Sequence, residues 1–128
     1  MKKFSEIEYV RPDMEVEKEK IGAYTEALKN VKSYEELRGL FMEEKEREDV
    51  WATMAEVAQV RYTVDTRDSF YEGEVQFWNE TVPAIRLLMQ KAEKVILESP
   101  FIKEFAGEFG DFFVKNMEVG QKLAADCI

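Results

Sequence analysis

The sequence predicts an all-α fold, an antiparallel bundle of four to five helices, and three observations lead there. Apolar residues recur at spacings of three and four along most of the chain. Valine, isoleucine and threonine never gather into an alternating run, apart from Val60 to Val64 inside a helical stretch. Charged residues make up 35% of the chain, above the usual value of about 25%, which suits helices with long solvated faces.

Arg11-Pro12-Asp13 reads as an extended lead-in, with Asp13 capping the first helix. Ile21, Tyr24, Leu28 and Val31 form the buried face of that helix, and Glu15, Glu17, Lys18, Glu19 and Lys20 its solvated one. Ser33-Tyr34-Glu35-Glu36 has the form of a capping box, in which the serine bonds forward and the glutamate reaches back. Leu37, Leu40, Phe41, Trp51, Met54, Ala55, Ala58 and Tyr62 make the stripe of the long second helix. The charged run from Glu43 to Asp49 mixes both signs and reads as a solvated, salt-bridged face.

Asp65-Thr66 offers the next cap, for a helix from about Arg67 to about Glu98. Its stripe is Phe70, Phe77, Val82, Ile85, Leu88, Met89 and Ala92. Pro83 removes one backbone bond and crowds the turn before it, so an interruption is expected between Asn79 and Val82. Ser99-Pro100 opens a short helix with Phe101 and Phe105. Gly107 and Gly110 interrupt it, and Asp111 is placed to cap a last helix carrying Phe113, Met117 and Ala124. Short connections favour antiparallel neighbours, so residues 1–128 read as a single helical domain.

With 18 bases and 27 acids the net charge is 18 − 27 = −9. Phosphate backbones repel such a surface, and no basic stripe offsets it, so nucleic acid is not an expected partner. Neither a basic amphipathic helix nor a run of ~20 apolar residues is present, so a membrane is not expected either. Cys127 is the lone cysteine, without a neighbouring base to activate it. Together with the lack of an apolar leader, this points to the cytoplasm.

The chain has no histidine. That excludes the imidazole-dependent Ser-His-Asp and Cys-His chemistries for this chain, and the common catalytic zinc sites. A di-iron bundle also needs its Glu-x-x-His pairs. Carboxylate pairs, Lys and Tyr stay open as catalytic groups, but nothing in the sequence brings acids such as Glu72 and Glu74 together in a cleft, so no catalytic residue, metal ligand or cofactor is assigned. The densest polar cluster is Arg61, Asp65, Thr66, Arg67 and Asp68, on either side of a helix-to-helix turn. Capping and dipole chemistry explain it as local structure. The functional alternative is a lock in which Arg61 or Arg67 pairs with a carboxylate of another helix.

Two groups of residues carry a family resemblance. One is Tyr9-Val10-Arg11-Pro12. The other is Met54-Ala55, the run from Arg61 through Tyr71, Asn79-Glu80 with Pro83, and Glu98-Ser99-Pro100-Phe101. The chain resembles the N-terminal helical region of the oligoendopeptidase F family of zinc metallopeptidases, from about Phe4 to Gly110. The Thr-x-Asp-Thr-Arg-Asp-x-Phe-Tyr run is the most specific part. Family members often carry His where Tyr62 stands. The resemblance implies a helical enzyme with a deep cleft, cutting short peptides with zinc held by a His-Glu-x-x-His helix and a downstream Glu. None of those residues is in this chain, so the resemblance implies a noncatalytic scaffold and cleft wall.

The helical pattern runs to Asp126-Cys127-Ile128 without a stop signal, which reads as a fragment. Its expected partner is then the missing catalytic portion of a parent peptidase, or a second copy of itself. The self-association face would be Phe113, Met117, Ala124 and Ile128, widened by Phe112 and Leu123. The alternative reading is a free-standing helical interaction module without enzymatic activity.

Overall fold

The computed structural model describes residues 6–126. It holds five helices: α1 Met14–Lys29, α2 Tyr34–Val64, α3 Ser69–Leu97, α4 Ile102–Phe109 and α5 Asp111–Asp126. No strand occurs among the described residues. The all-α expectation holds, and α3 is the central element. It packs against α1, α2 and α5, while α4 bridges α5 and α2.

The caps show which local signals worked. Asp13 accepts from the amides of Glu15 and Val16 and starts α1. Ser33 accepts from the Glu36 amide and starts α2, and Glu36 Oε2 reaches back to the Lys32 amide. That is a capping box displaced by one residue. For α3 the cap is Asp68, which accepts from the amides of Phe70 and Tyr71. Asp65 instead organises the preceding turn, where its Oδ1 accepts from the Arg67 amide at 3.0 Å. Asp111 is not a cap but the first residue of α5. Before it, Gly110 takes φ +98°, a conformation that favours glycine, and lets α4 end and α5 begin with no linker.

The expected interruption near Pro83 is absent. α3 runs unbroken from Ser69 to Leu97 with Pro83 inside it. Pro83 and Asn79 are both exposed, so the carbonyl that loses its intrahelical donor has water to bond instead. The packing of α1 and α2 against both halves of α3 outweighs the missing bond.

Two clusters form the core. Tyr24, Leu28, Leu37, Ala92, Ile96, Phe105 and Met117 make one. Met14, Ile21, Ala58, Trp78 and Ile85 make the other. Phe105 is fully buried and meets Phe41 edge-on at 5.0 Å between ring centres. Emptying its site with alanine costs about 3–5 kcal/mol by the usual scale for buried aromatics.

Candidate functional site

Residues 8–13, just ahead of α1, form no helix and are fastened to α2 and α3. Pro12 disfavours the helical conformation at Arg11, and in extended chain alternate residues face the same way. Tyr9 and Arg11 therefore reach the same target, Glu74 of α3, which is only 6% exposed. Arg11 grips it with both arms of the guanidinium: Nε donates to Oε1 at 2.9 Å, and Nη2 donates to Oε2. The Tyr9 hydroxyl donates to Oε1 at 2.6 Å and accepts from Trp78 Nε1 at 3.0 Å. One turn along α3, the Phe77 ring lies 3.9 Å from the Arg11 guanidinium carbon. The Arg11 hydrogen bonds hold the Glu74 carboxyl below the usual carboxylate range, against the opposing push of burial. Burial first, and the Glu74 hydrogen bond second, push the Tyr9 hydroxyl up to about 12.

Beside this lock stands Arg61. Its Nη1 donates to the Tyr71 hydroxyl at 2.8 Å and its Nη2 donates to the Ile7 carbonyl. Tyr9 meets the Tyr71 ring edge-on at 5.7 Å and the Phe70 ring at 6.1 Å. The Tyr9-Val10-Arg11-Pro12 group thus meets Met54, Phe70 and Tyr71 of the second group in space.

The predicted polar cluster does not act as one unit. Arg61 ties α2 to α3 and to the extended segment through neutral acceptors. Arg67 pairs with Asp65 within the same turn, Nε to Oδ1 at 3.2 Å, with its side chain 92% exposed. Thr66 is exposed, and Asp68 is a helix cap. The inter-element Arg–carboxylate lock exists, but its members are Arg11 and Glu74. The spacing of Tyr9 and Arg11 around Pro12 is the signal that could have found them.

The charged run in α2 is not a uniformly solvated face. Glu44 is 2% exposed and paired with Arg47 one turn on. Burial pushes its carboxyl up in spite of that arginine. Glu48 is half-buried, and burial followed by the charges of Glu44 and Glu93 pushes it up to about 7. Glu93 of α3 is pushed up by burial. The three glutamates line one cavity of about 70 Å³ with Tyr24, Met89 and Met117. Two buried polar atoms nearby on α2, Arg47 Nε and Trp51 Nε1, have no hydrogen-bond partner. The signal was present: positions 37, 41, 44, 48, 51, 55 and 58 continue one helical stripe, so two of its acids had to turn inward.

Zinc, which the resemblance implies for the family, does not fit this chain. It has no histidine, and among the described residues no three Asp, Glu or Cys side chains are grouped to hold a metal ion. No described helix is long and apolar enough to cross a membrane. The face assigned to self-association also needs correction. Met117 is 5% exposed and belongs to the core. Phe113 packs one side on Phe105 and Phe109 yet stays 37% exposed, Ala124 is half-buried, and Ile128 lies outside the described residues. The open apolar side of α5 is instead Phe112, Val119 and Leu123, at 77%, 52% and 59% exposure. Phe112 and Leu123, expected only to widen the face, are its most exposed apolar members.

Comparison with known proteins agrees with the fold. The sequence pattern of the Peptidase M3 N-terminal domain matches residues 4–124. Among solved structures, the chain is similar to PZ peptidase A with an inhibitor, at 28% identity and TM-score 0.89, covering 94% of this chain and 21% of that one. It is similar to a protein assigned as oligoendopeptidase F at 27% identity and TM-score 0.90, covering 95% and 22%. A third, assigned as oligoendopeptidase F from Bacillus anthracis str. Ames, gives 30%, 0.88, 92% and 22%. This chain therefore spans about a fifth of the length of the structures it matches. No curated protein sequence matches it.

Proposed function

Because the chain belongs to the Peptidase M3 N-terminal domain family, we propose that it is the noncatalytic scaffold and cleft-wall region of an oligoendopeptidase F-like zinc metallopeptidase that cleaves short peptides. The observation that carries this reading is the direction of the family-like residues. Tyr9, Arg11, Arg61 and Tyr71 direct their polar atoms at one another, at Glu74 and Trp78 of α3 and at the chain's own backbone. Residues so engaged fix a shape; they are not free to hold a substrate or move a proton. In this reading zinc and its ligands belong to the catalytic portion, which is the partner, and the workplace is the cytoplasm, where a lone thiol stays reduced.

The test pairs two assays. A quenched fluorescent peptide and metal analysis after dialysis are expected to give no turnover and no retained zinc for the chain alone. Adding the chain to an oligoendopeptidase F that lacks its own corresponding region is expected to restore peptide cleavage. Chelator-sensitive turnover by the chain alone would overturn the reading. A second reading, a self-associating helical module without enzymatic activity, is favoured by the open apolar side of α5.

A further inference from the structure

A groove runs between α2 and α3. One stretch, about 420 Å³, is lined by Trp51, Ala55, Val82 and Met89, with Glu48, Arg86 and Glu93 as its charged members. The next, about 400 Å³, continues past the same Ala55 and Val82 to Val75 and Trp78. The floor is apolar, and the first stretch carries two carboxylates and the Arg86 guanidinium. The two carboxylates differ from three glutamates that carry an arginine partner. Glu74 has Arg11, Glu44 has Arg47 and Glu108 has Arg38. Glu48 and Glu93 form no ion pair among the described residues.

The chain also carries a surface of the opposite character. The outer side of α5 presents Phe112, Val119 and Leu123, all exposed. Interleaved with them at helical spacing are Lys115, Glu118 and Lys122, all exposed, and the two lysines form no ion pair among the described residues. The inner side of α5 is occupied with α3: Gln121 Nε2 donates to the Gln90 carbonyl at 2.6 Å, and Met117 is core. So its lysines face away from the groove of their own chain. Acids outnumber bases in the groove (Glu48, Glu56 and Glu93 against Arg86), and bases outnumber acids on the stripe (Lys115 and Lys122 against Glu118), so the two apolar surfaces carry opposite net charge.

We propose that the outer face of α5 docks in the α2–α3 groove of a second copy of this chain, setting lysines 115 and 122 toward Glu48 and Glu93, in a two-fold dimer that makes this contact twice. A two-fold axis repeats each contact, so groove and stripe on one copy are both used by the other. The net charge of −9 opposes association of two copies. Long-range repulsion is screened beyond about 10 Å at 0.1 M salt, whereas the lysine–glutamate pairs act at contact and in a partly dry groove. The inference supplies the surface for the self-association reading and does not depend on the scaffold reading.

The test is a charge exchange read by size exclusion with light scattering. The native chain is expected to dimerise at high micromolar concentration. Glu48→Lys with Glu93→Lys, and separately Lys115→Glu with Lys122→Glu, are each expected to be monomeric. Mixed in equal amounts, the two are expected to dimerise again, since each groove then meets a stripe of opposite charge. Lysines at half-buried positions can unfold the chain, so Phe112→Glu with Leu123→Glu, at exposed sites, is the second variant. It is expected to weaken association at least tenfold with the helical circular dichroism unchanged. A native chain that stays monomeric, exposed-site variants that still dimerise, or folded charge variants that do not pair on mixing would overturn the proposal. A monomer that nevertheless restores the truncated oligoendopeptidase F would overturn it while leaving the scaffold reading standing.

Discussion

Glu74 and Glu48 are the same residue type, on neighbouring antiparallel helices, turned inward by the same helical periodicity. Their carboxyls are nevertheless driven in opposite directions, Glu74 down and Glu48 up to about 7. Burial opposes ionisation at both. The difference is a cation delivered from elsewhere in the chain. At Glu74 the extended segment lays Arg11 across the carboxylate as a two-pronged donor, and Tyr9 fills a further lone pair. At Glu48 the neighbours are Tyr24 from α1, Glu93 from α3, and Glu44, Lys45 and Asp49 on α2 itself, in which the acids outnumber the bases. One acid fastens the molecule, and the other is a strain the fold tolerates. Helical amphipathicity decides which acids go inside, but only tertiary partners decide what that costs.

Breaking the lock should have the largest effect. Arg11→Ala leaves Glu74 buried with Tyr9 as its remaining partner in the lock. Removing one member of a fully buried pair costs about 3–5 kcal/mol. The Arg11 side chain is 47% exposed, so about 2–3 kcal/mol is expected. Arg11→Lys should recover part of it, because a lysine keeps the charge but loses the fork. The pH signature follows from the sign of the shift. A carboxyl held low in the fold contributes stability above its unfolded value of about 4.3, lost as pH falls through the lower folded value. Urea unfolding at pH 7 and pH 4 reads both. An Arg11→Ala loss under 0.5 kcal/mol would remove the lock from the account.

The opposite sign is expected at Glu48. Its folded value of about 7 lies above the unfolded one near 4.3. The folded state therefore binds a proton more tightly. Its stability contribution is full below about 4.3 and is lost as pH rises toward 7. Glu48→Gln keeps the shape without the charge. It should stabilise the chain by about 1–2 kcal/mol at pH 8, after discounting for the part of the group that water reaches. The gain should vanish at pH 4. Thermal melts of both proteins across pH 4 to 8 check it, and parallel curves would refute the strain at this site.

The two glutamates also mark what could be read from the sequence. Helix identity was legible because the stripes and caps are local: Asp13 and Ser33 cap where residue chemistry says they should. Asp65 and Asp68 are equivalent as local signals, and which one caps α3 depends on how the turn closes over Asp65. Pro83 misled because its local cost is real, yet exposure and packing on both sides make it tolerable. The lock was missed because Arg11 and Glu74 are 63 residues apart, and periodicity carries no information at that range. α5 shows the same limit. Phe112 and Phe113 are adjacent and equally apolar, and only the positions of α2 and α4 decide that the second packs on Phe41, Phe105 and Phe109.

The smallest effects should come from the cluster that looked densest. Arg61 and Arg67 sit six residues apart in one motif-like run, but only Arg61 has partners distant in sequence. Arg61→Ala removes two donors that join α2 to the Ile7 carbonyl and the Tyr71 hydroxyl. About 1 kcal/mol is expected, the usual net worth of such bonds when the acceptors can turn to water. Arg67→Ala removes one pairing inside an exposed turn, where solvent screens the charge and side-chain entropy offsets the contact. The change should stay within about 0.5 kcal/mol of zero. The Arg67 amide, which bonds Asp65 Oδ1, survives the substitution, so the turn itself keeps its organising contact. Urea midpoints of the two variants, taken beside Arg11→Ala, rank the three arginines by the sequence distance to their partners. An Arg67→Ala loss equal to that of Arg61→Ala would mean that the turn, rather than the long-range contacts, anchors this end of the bundle.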